Sequence, residues 1–261
     1  MREFYSDMTS RFFIELAYNG RSFHGWQIQP NAITVQETLQ KAMETILRQK
    51  IAIVGCGRTD TGVHARQFFA HFDLDLEAIQ LNADQLSYKL NQFLNNEIAV
   101  FRIFKVNREA HSRFDALSRT YEYRLRLGKS PFDQDITYHS AYPRLDFDLM
   151  NKAAALLFNY TDFTSFSKTG TDVKTNNCKI MLAEWRKEKD VWIFTIKADR
   201  FLRNMVRAIV GTLLEVGSGK IDLEGFKNII ESKNRSNAGW SVPAQGLALV
   251  KLEYPINLPS F

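Results

Sequence analysis

The chain has 261 residues, 45% of them hydrophobic and 24% charged, which is ordinary for a globular protein and enough for one large core or two small ones. No apolar run approaches a membrane span and no signal-peptide core follows Met1-Arg2-Glu3, so a cytoplasmic location is expected. A formal net charge of +5 tilts the partners towards polyanions, and Cys56 and Cys178, with neither metal-ligand spacing nor a disulfide framework, read as small buried hydrophobes.

Arg11 to Tyr18 alternates as a strand, and Asn19-Gly20 turns it. The stretch Phe23-His24-Gly25-Trp26-Gln27 to Pro30 reads as a loop with two aromatic rings and a histidine. Thr34 is placed as an N-cap with Glu37 completing a capping box, ahead of a helix carrying Val35, Leu39, Met43, Ile46 and Leu47. A strand over 51–56, a glycine-flanked loop, a strand over 66–73, a helix over 82–95 and a strand from Ile98 to Val106 follow.

The second half has a similar cadence. Tyr121 to Leu127 alternates at period two and Gly128 ends it. Asp146 to Phe158 reads as an amphipathic helix, then come the Phe/Ser/Thr-rich segment Asp162 to Ser167 and strands over 180–187 and 191–198 about a Lys189-Asp190 turn. A helix from Phe201 to Val216 terminated by Gly217, a helix over 222–232 and a strand from Leu247 to Leu252 complete the chain. Helices and strands alternate without a strict βαβ rhythm, so the fold class is α+β. The division is placed at 1–110 and 111–261, and the shared element order suggests a diverged duplication. No low-complexity linker separates the halves, so an extensive interface is expected.

The densest chemistry lies in Gly57-Arg58-Thr59-Asp60-Thr61-Gly62-Val63-His64-Ala65. Glycines at 55, 57 and 62 allow positive φ angles and close approach by a ligand. Between them stand one carboxylate and one guanidinium. A structural Asp-Thr-Gly turn is the plain alternative. An aspartic-protease reading needs a second such triplet or a small all-β dimer half, neither of which this chain has, and Arg58 opposes it by holding Asp60 ionised.

Two motifs mislead. Gly217-Ser218-Gly219-Lys220 lacks the upstream glycine and the following hydroxyl of a phosphate loop and reads as a helix C-cap. Ser165-Phe166-Ser167-Lys168-Thr169-Gly170 superposes two serine-acyltransferase signatures on one lysine, which cannot serve both. His24, His64, His71 and His111 share no helix face with carboxylates, so no metal site is expected.

Arg200, Arg203 and Arg207 recur at helical spacing, with Leu202, Val206, Ile209, Val210 and Leu213 on the buried side. Arg207 lies amid apolar residues, and an unpaired buried charge costs about 3–5 kcal/mol, so a carboxylate partner is expected, with Asp60 the candidate. Tyr121 and Tyr123 share a strand face with Leu125 and Leu127, either as core or with one ring against a planar substrate.

Several stretches resemble the tRNA pseudouridine synthase A family: Tyr18-Asn19-Gly20 with Phe23 to Gln27; Thr34-Val35-Gln36; Gly57 to Ala65; Arg119 to Tyr123; Asp162 to Phe166; Phe201 to Arg207 with Val210-Gly211; and Pro243 to Leu247. The matches run in order over nearly the whole length. Thr61 stands where the family more usually has alanine, and Cys178 where it has an arginine at an RNA contact. The resemblance implies a pseudouridine-synthase-like fold, two α/β halves with largely antiparallel sheets meeting at a central cleft.

The implied reaction converts uridine to pseudouridine at positions 38, 39 and 40 of the tRNA anticodon stem-loop, without cofactor or metal. By the resemblance Asp60 is the essential carboxylate, Arg207 its partner and Tyr121 the ring stacked on the base. Arg58 would hold the uridine out of the helix, an extrusion costing a few kcal/mol. Leu247 would line the pocket, and Arg203, Arg200 and His64 would contact RNA. A homodimer touching one tRNA with both subunits is implied as well. The runner-up is a catalytically silent tRNA-binding module, against which intact Asp60, Tyr121 and Arg207 count.

Overall fold

The opening alternation builds β1 (Ser10–Tyr18), and the apolar run after the glycine loop builds β3 (His64–Leu74); they pair antiparallel with Leu16 opposite Phe68 and Ile14 opposite Ala70. This computed structural model describes residues 9–75, 80–170 and 174–255. Its contacts divide the chain into two units, one running to Leu117 and resuming at Lys251, the other Ser118–Val250.

In the first unit β1 also pairs antiparallel with β4 (Ile98–Val106), and the short β2 (Val54–Gly55) pairs with β3. Ile14, Leu16, Phe68 and Ala70 alternate onto one face and are buried, while Phe13, Phe69 and His71 are buried on the other. Tyr254 packs edge-on against Phe13 and Phe69, at 5.7 and 5.3 Å between ring centroids. Leu117 donates its backbone N–H to the Glu253 carbonyl, and the Tyr254 hydroxyl donates to Ser112. These contacts place residues from Lys251 in the first unit and move the division from Ala110 to Leu117.

Helix α1 (Val35–Leu47) starts where Thr34 Oγ1 accepts the Glu37 N–H at 3.3 Å, while the Glu37 carboxylate pairs with Lys41 one turn on. The reciprocal capping box belongs instead to α2 (Ala83–Phe93), between Asn82 and Gln85. The strand expected over 51–56 is confined to β2. Ile51 and Ile53 are buried, but the Ile53 carbonyl accepts from the Gln36 side chain instead of a neighbouring strand.

The second unit carries β5 (Ser118–Leu127), β7 (Ile180–Glu188) and β8 (Val191–Ala198) in the antiparallel order β5-β8-β7, with β6 (Tyr138–Ser140) parallel to β5. Lys189 takes a left-handed φ of 53° in the turn between β7 and β8. Its helices are α3 (Phe147–Leu156), α4 (Met205–Gly217) and α5 (Leu223–Glu231), and β9 (Leu247–Glu253) is the last strand in chain order. The run β1-α1-β2-β3-α2-β4 is echoed by β5-α3-β7-β8-α4-β9 once the additional β6 and α5 are set aside, and β1·β3 and β2·β3 pair as β5·β8 and β7·β8 do. The fold class is α+β with largely antiparallel pairing, as expected.

The helix expected from Phe201 begins only at Met205. Asn204 takes a left-handed φ of 67°, and the Arg203 carbonyl accepts the Lys168 N–H, so residues 201–204 form a turn held from outside. Arg200 and Arg203 therefore precede the helix, and the three-arginine helical stripe does not exist. At the other end Ser218 is the C-cap and Gly219 turns the chain at φ 76°, with Gly219 N–H to Val216 and Lys220 N–H to Glu215. That Schellman geometry accounts for the phosphate-loop look-alike.

Candidate active site

Asp60 sits in a loop whose shape is imposed by the segment that follows β1. The Trp26 N–H donates to the Thr59 carbonyl at 3.3 Å, the Gly62 N–H to the Phe23 carbonyl at 3.2 Å, and the Val63 N–H to the Asp60 carbonyl at 3.1 Å. Thr59 is buried and its hydroxyl meets the Tyr18 hydroxyl at 2.8 Å. Beneath, Trp26 stacks on Phe68 at 4.2 Å and Tyr18 packs edge-on to Phe68 at 5.5 Å. The two segments approach so closely that a Cβ at Gly25, whose φ is 87°, would overlap the Thr59 carbonyl.

The glycines act differently from expectation. Of Gly55, Gly57 and Gly62 only Gly62 has a positive φ, 78°. Gly55 makes room for the Trp26 indole, and nothing lies within 4 Å of a Cβ built on Gly57. Asp60 is half-buried and Arg58 is exposed. His64, expected at the RNA, is buried at the start of β3, and its Nδ1 accepts the Gly20 N–H at 3.0 Å. That contact ties the loop's exit to the turn after β1, a scaffolding contact that the sequence reading missed.

The second unit presents Tyr121, Arg203, Arg207 and Leu247. Tyr121, on β5 opposite Ile196, is half-exposed and packs edge-on to Phe201 at 5.2 Å. Its face-mate Tyr123 is fully buried and donates its hydroxyl to the Pro243 carbonyl at 3.0 Å; burial pushes its phenol well above the usual range. Twelve of the thirteen residues of α4 are buried, and the thirteenth is Arg207. Its Nε donates to the Val242 carbonyl at 2.7 Å, and the Val242 N–H returns to the Arg207 carbonyl at 3.3 Å. Arg203 is exposed and Leu247 is buried at the start of β9.

The segment before β9 is itself laced down. Arg235 donates to the carbonyls of Ala238 and Gly239 and to Ser241 Oγ, which also accepts from Asn204 Nδ2 at 2.6 Å. So the left-handed Asn204, the base of Arg207 and the approach to Leu247 share one network. Sequence spacing alone carries no sign of it.

The remaining candidates resolve plainly. Cys56 and Cys178 are buried and form no disulfide, and burial pushes the Cys178 thiol up to about 12, leaving it inert. Ser165 Oγ donates to the Ile229 carbonyl and accepts the Asn234 N–H, which makes the acyltransferase look-alike a structural tie. Among the described residues no group of three or more His, Cys, Asp or Glu could hold a metal ion, and no helix is long and apolar enough to cross a membrane.

A half-buried carboxylate thus stands on a loop locked from both sides, in an α+β chain with a net charge of +5. The sequence model of a family described as tRNA pseudouridine synthase matches residues 153–255. Over most of its length the chain is also similar to proteins named tRNA pseudouridine synthase A. That of Parabacteroides distasonis is 54% identical over 95% of this chain and 97% of its own. That of Bacteroides fragilis is 55% identical over 94% and 96%, and that of Porphyromonas gingivalis 52% over 95% and 99%. The chain belongs to the tRNA pseudouridine synthase A family, a family of isomerases.

Proposed function

We propose that this protein isomerises uridine to pseudouridine at positions 38, 39 and 40 of the tRNA anticodon stem-loop, with Asp60 as the essential carboxylate. The observation that carries the reading is the clamp on the Asp60 loop. Backbone bonds from Trp26 and Gly62 and the Tyr18–Thr59 hydroxyl pair fix the residues beside it. A carboxylate held this way reaches the reacting atoms without reorganising first.

The reaction breaks the bond between uracil N1 and the ribose, turns the base and joins C5 to the same sugar carbon; C5 loses its proton and N1 takes one up. Atoms are conserved, so no co-reactant is consumed. Asp60 serves as nucleophile at sugar or base, or as the base that removes a sugar proton. Tyr121 lies against the uracil, Arg207 is a further catalytic residue, Arg58 and Arg203 hold RNA, Leu247 lines the pocket, and His64 supports the loop. A cytoplasmic homodimer is the expected state.

The test is an unmodified tRNA transcript incubated with the protein and no additives, with pseudouridine mapped by chemical derivatisation because the isomers have equal mass. Conversion by the wild type and none by Asp60→Asn is the expected result. Conversion by Asp60→Asn overturns the assignment, and tight binding without turnover by the wild type favours the silent binding module.

A further inference from the structure

Beside the Asp60 loop, within the first unit, lies a cavity of about 230 Å³ lined by Trp26, Gly57 and Arg58 on one hand and by His111, Arg113 and Phe114 on the other. Phe114 is 74% exposed, yet its turn is braced. His111 Nδ1 accepts the backbone N–H of Arg113 at 3.1 Å and of Phe114 at 3.3 Å. The Asp115 carboxylate accepts the His111 N–H at 2.7 Å, and the Asp115 N–H donates back to the His111 carbonyl at 3.1 Å. The His111 ring packs on the Phe114 ring at 4.3 Å and on the buried His71 ring at 4.6 Å. The Arg113 guanidinium lies 5.6 Å from the Phe114 centroid.

One exposed phenylalanine is ordinary on any surface. What distinguishes this one is the chemistry around it. The lining carries two guanidinium groups, Arg58 and Arg113, and no carboxylate. An aromatic face flanked by cations suits a nucleobase and its phosphates, because stacking on the ring is indifferent to sequence and the guanidinium groups neutralise the backbone. The volume falls below the range of about 300–1,000 Å³ that holds a drug-sized ligand, so the occupant is one base. The lining also includes Gly57 and Arg58, in the same stretch of chain as Asp60, which favours the substrate RNA over a protein partner.

We propose that this cavity seats one unpaired base of the tRNA, neighbouring the uridine that reacts, stacked on Phe114 with Arg58 and Arg113 on its phosphates. The inference rests on the reading of this chain as a pseudouridine synthase. Its test uses anticodon stem-loops carrying 2-aminopurine at one loop position at a time, with fluorescence followed on binding to the full chain.

The expected result is one position whose emission is quenched by the wild type and recovers in Phe114→Leu, which keeps the apolar bulk and removes the π face. The Kd weakens about tenfold in Phe114→Leu and is restored in Phe114→Trp. Arg113→Gln lowers the slope of log K against log salt by about one. A melting temperature equal to that of the wild type shows that the variants fold. If no position responds to Phe114→Leu and the Arg113→Gln slope is unchanged while the wild type still makes pseudouridine, the cavity proposal falls and the enzymatic reading stands. A wild type that neither binds the stem-loop nor converts its uridines overturns both.

Discussion

Tyr18 and Thr59 meet through their hydroxyl groups at 2.8 Å inside the first unit, joining the end of β1 to the residue before Asp60. The bond is buried, so neither hydroxyl finds water once its partner is removed. Tyr18→Phe leaves the Thr59 hydroxyl unsatisfied. The expected cost is about 1–3 kcal/mol of stability, with a single-turnover rate of pseudouridine formation that falls with it as the loop loosens. Denaturant titration beside rapid-quench kinetics reads both, and an unchanged rate would show that the loop holds its shape without this bond.

Gly25 sits at φ 87° against the Thr59 carbonyl. Alanine there faces an unfavourable backbone conformation and a steric overlap together. Gly25→Ala is expected to destabilise by roughly 1–3 kcal/mol or more. Gly57→Ala, with open space around the added carbon, serves as the control and melts near the wild type. Equal melting temperatures for the two variants would contradict the close approach.

Tyr121 and Tyr123 share a face of β5 and differ in surroundings. The Tyr123 hydroxyl is committed to Pro243, whereas Tyr121 is half-exposed. Tyr123→Phe therefore lowers stability by about 1 kcal/mol and leaves turnover near the wild-type value. Tyr121→Phe is expected to lower turnover more than stability. The opposite pattern in melting curves and turnover would exchange the roles assigned to the two rings.

The His71 imidazole is held down to about 4, chiefly by burial and then by the Arg11 guanidinium and His111, with Asp73 and Asp115 pulling the other way. The ordinary value for histidine is about 6.5, so between these limits the unfolded chain binds a proton that the folded chain refuses. Stability is complete above about pH 6.5, falls as the pH drops towards 4, and is insensitive to this group below that. The loss is at most about 3 kcal/mol. Urea titrations at pH 7 and 4.5 on wild type and His71→Gln check it, since the variant lacks this share of the acid sensitivity.

Local pattern disclosed much of this protein because apolar periodicity reports which side chains are buried. It located β1, β4, β7, β8 and the N-cap at Thr34. It overextended β2, because burial of Ile51 and Ile53 does not reveal that a glutamine side chain, in place of a strand, takes the Ile53 carbonyl. It started α4 too early, because a left-handed asparagine inside an apolar run looks like any other residue of a helix. Asp60, Arg58, Tyr121 and Arg207 were legible as candidates from ordered motifs and residue chemistry, not from periodicity.

By itself the sequence determined the α+β class, the single conspicuous carboxylate loop, the cationic balance and the family. All of these are written in composition and in motifs contiguous along the chain. Only the tertiary structure decided that Gly25 and Tyr18 lock that loop and that His64 turns inward to Gly20. It alone separated the committed Tyr123 from Tyr121 and showed Arg207 as the sole residue of α4 that is not buried. The reason is physical. A hydrogen bond or an overlap between residues tens of positions apart depends on how backbone segments meet in space, and local spacing carries no record of that distance.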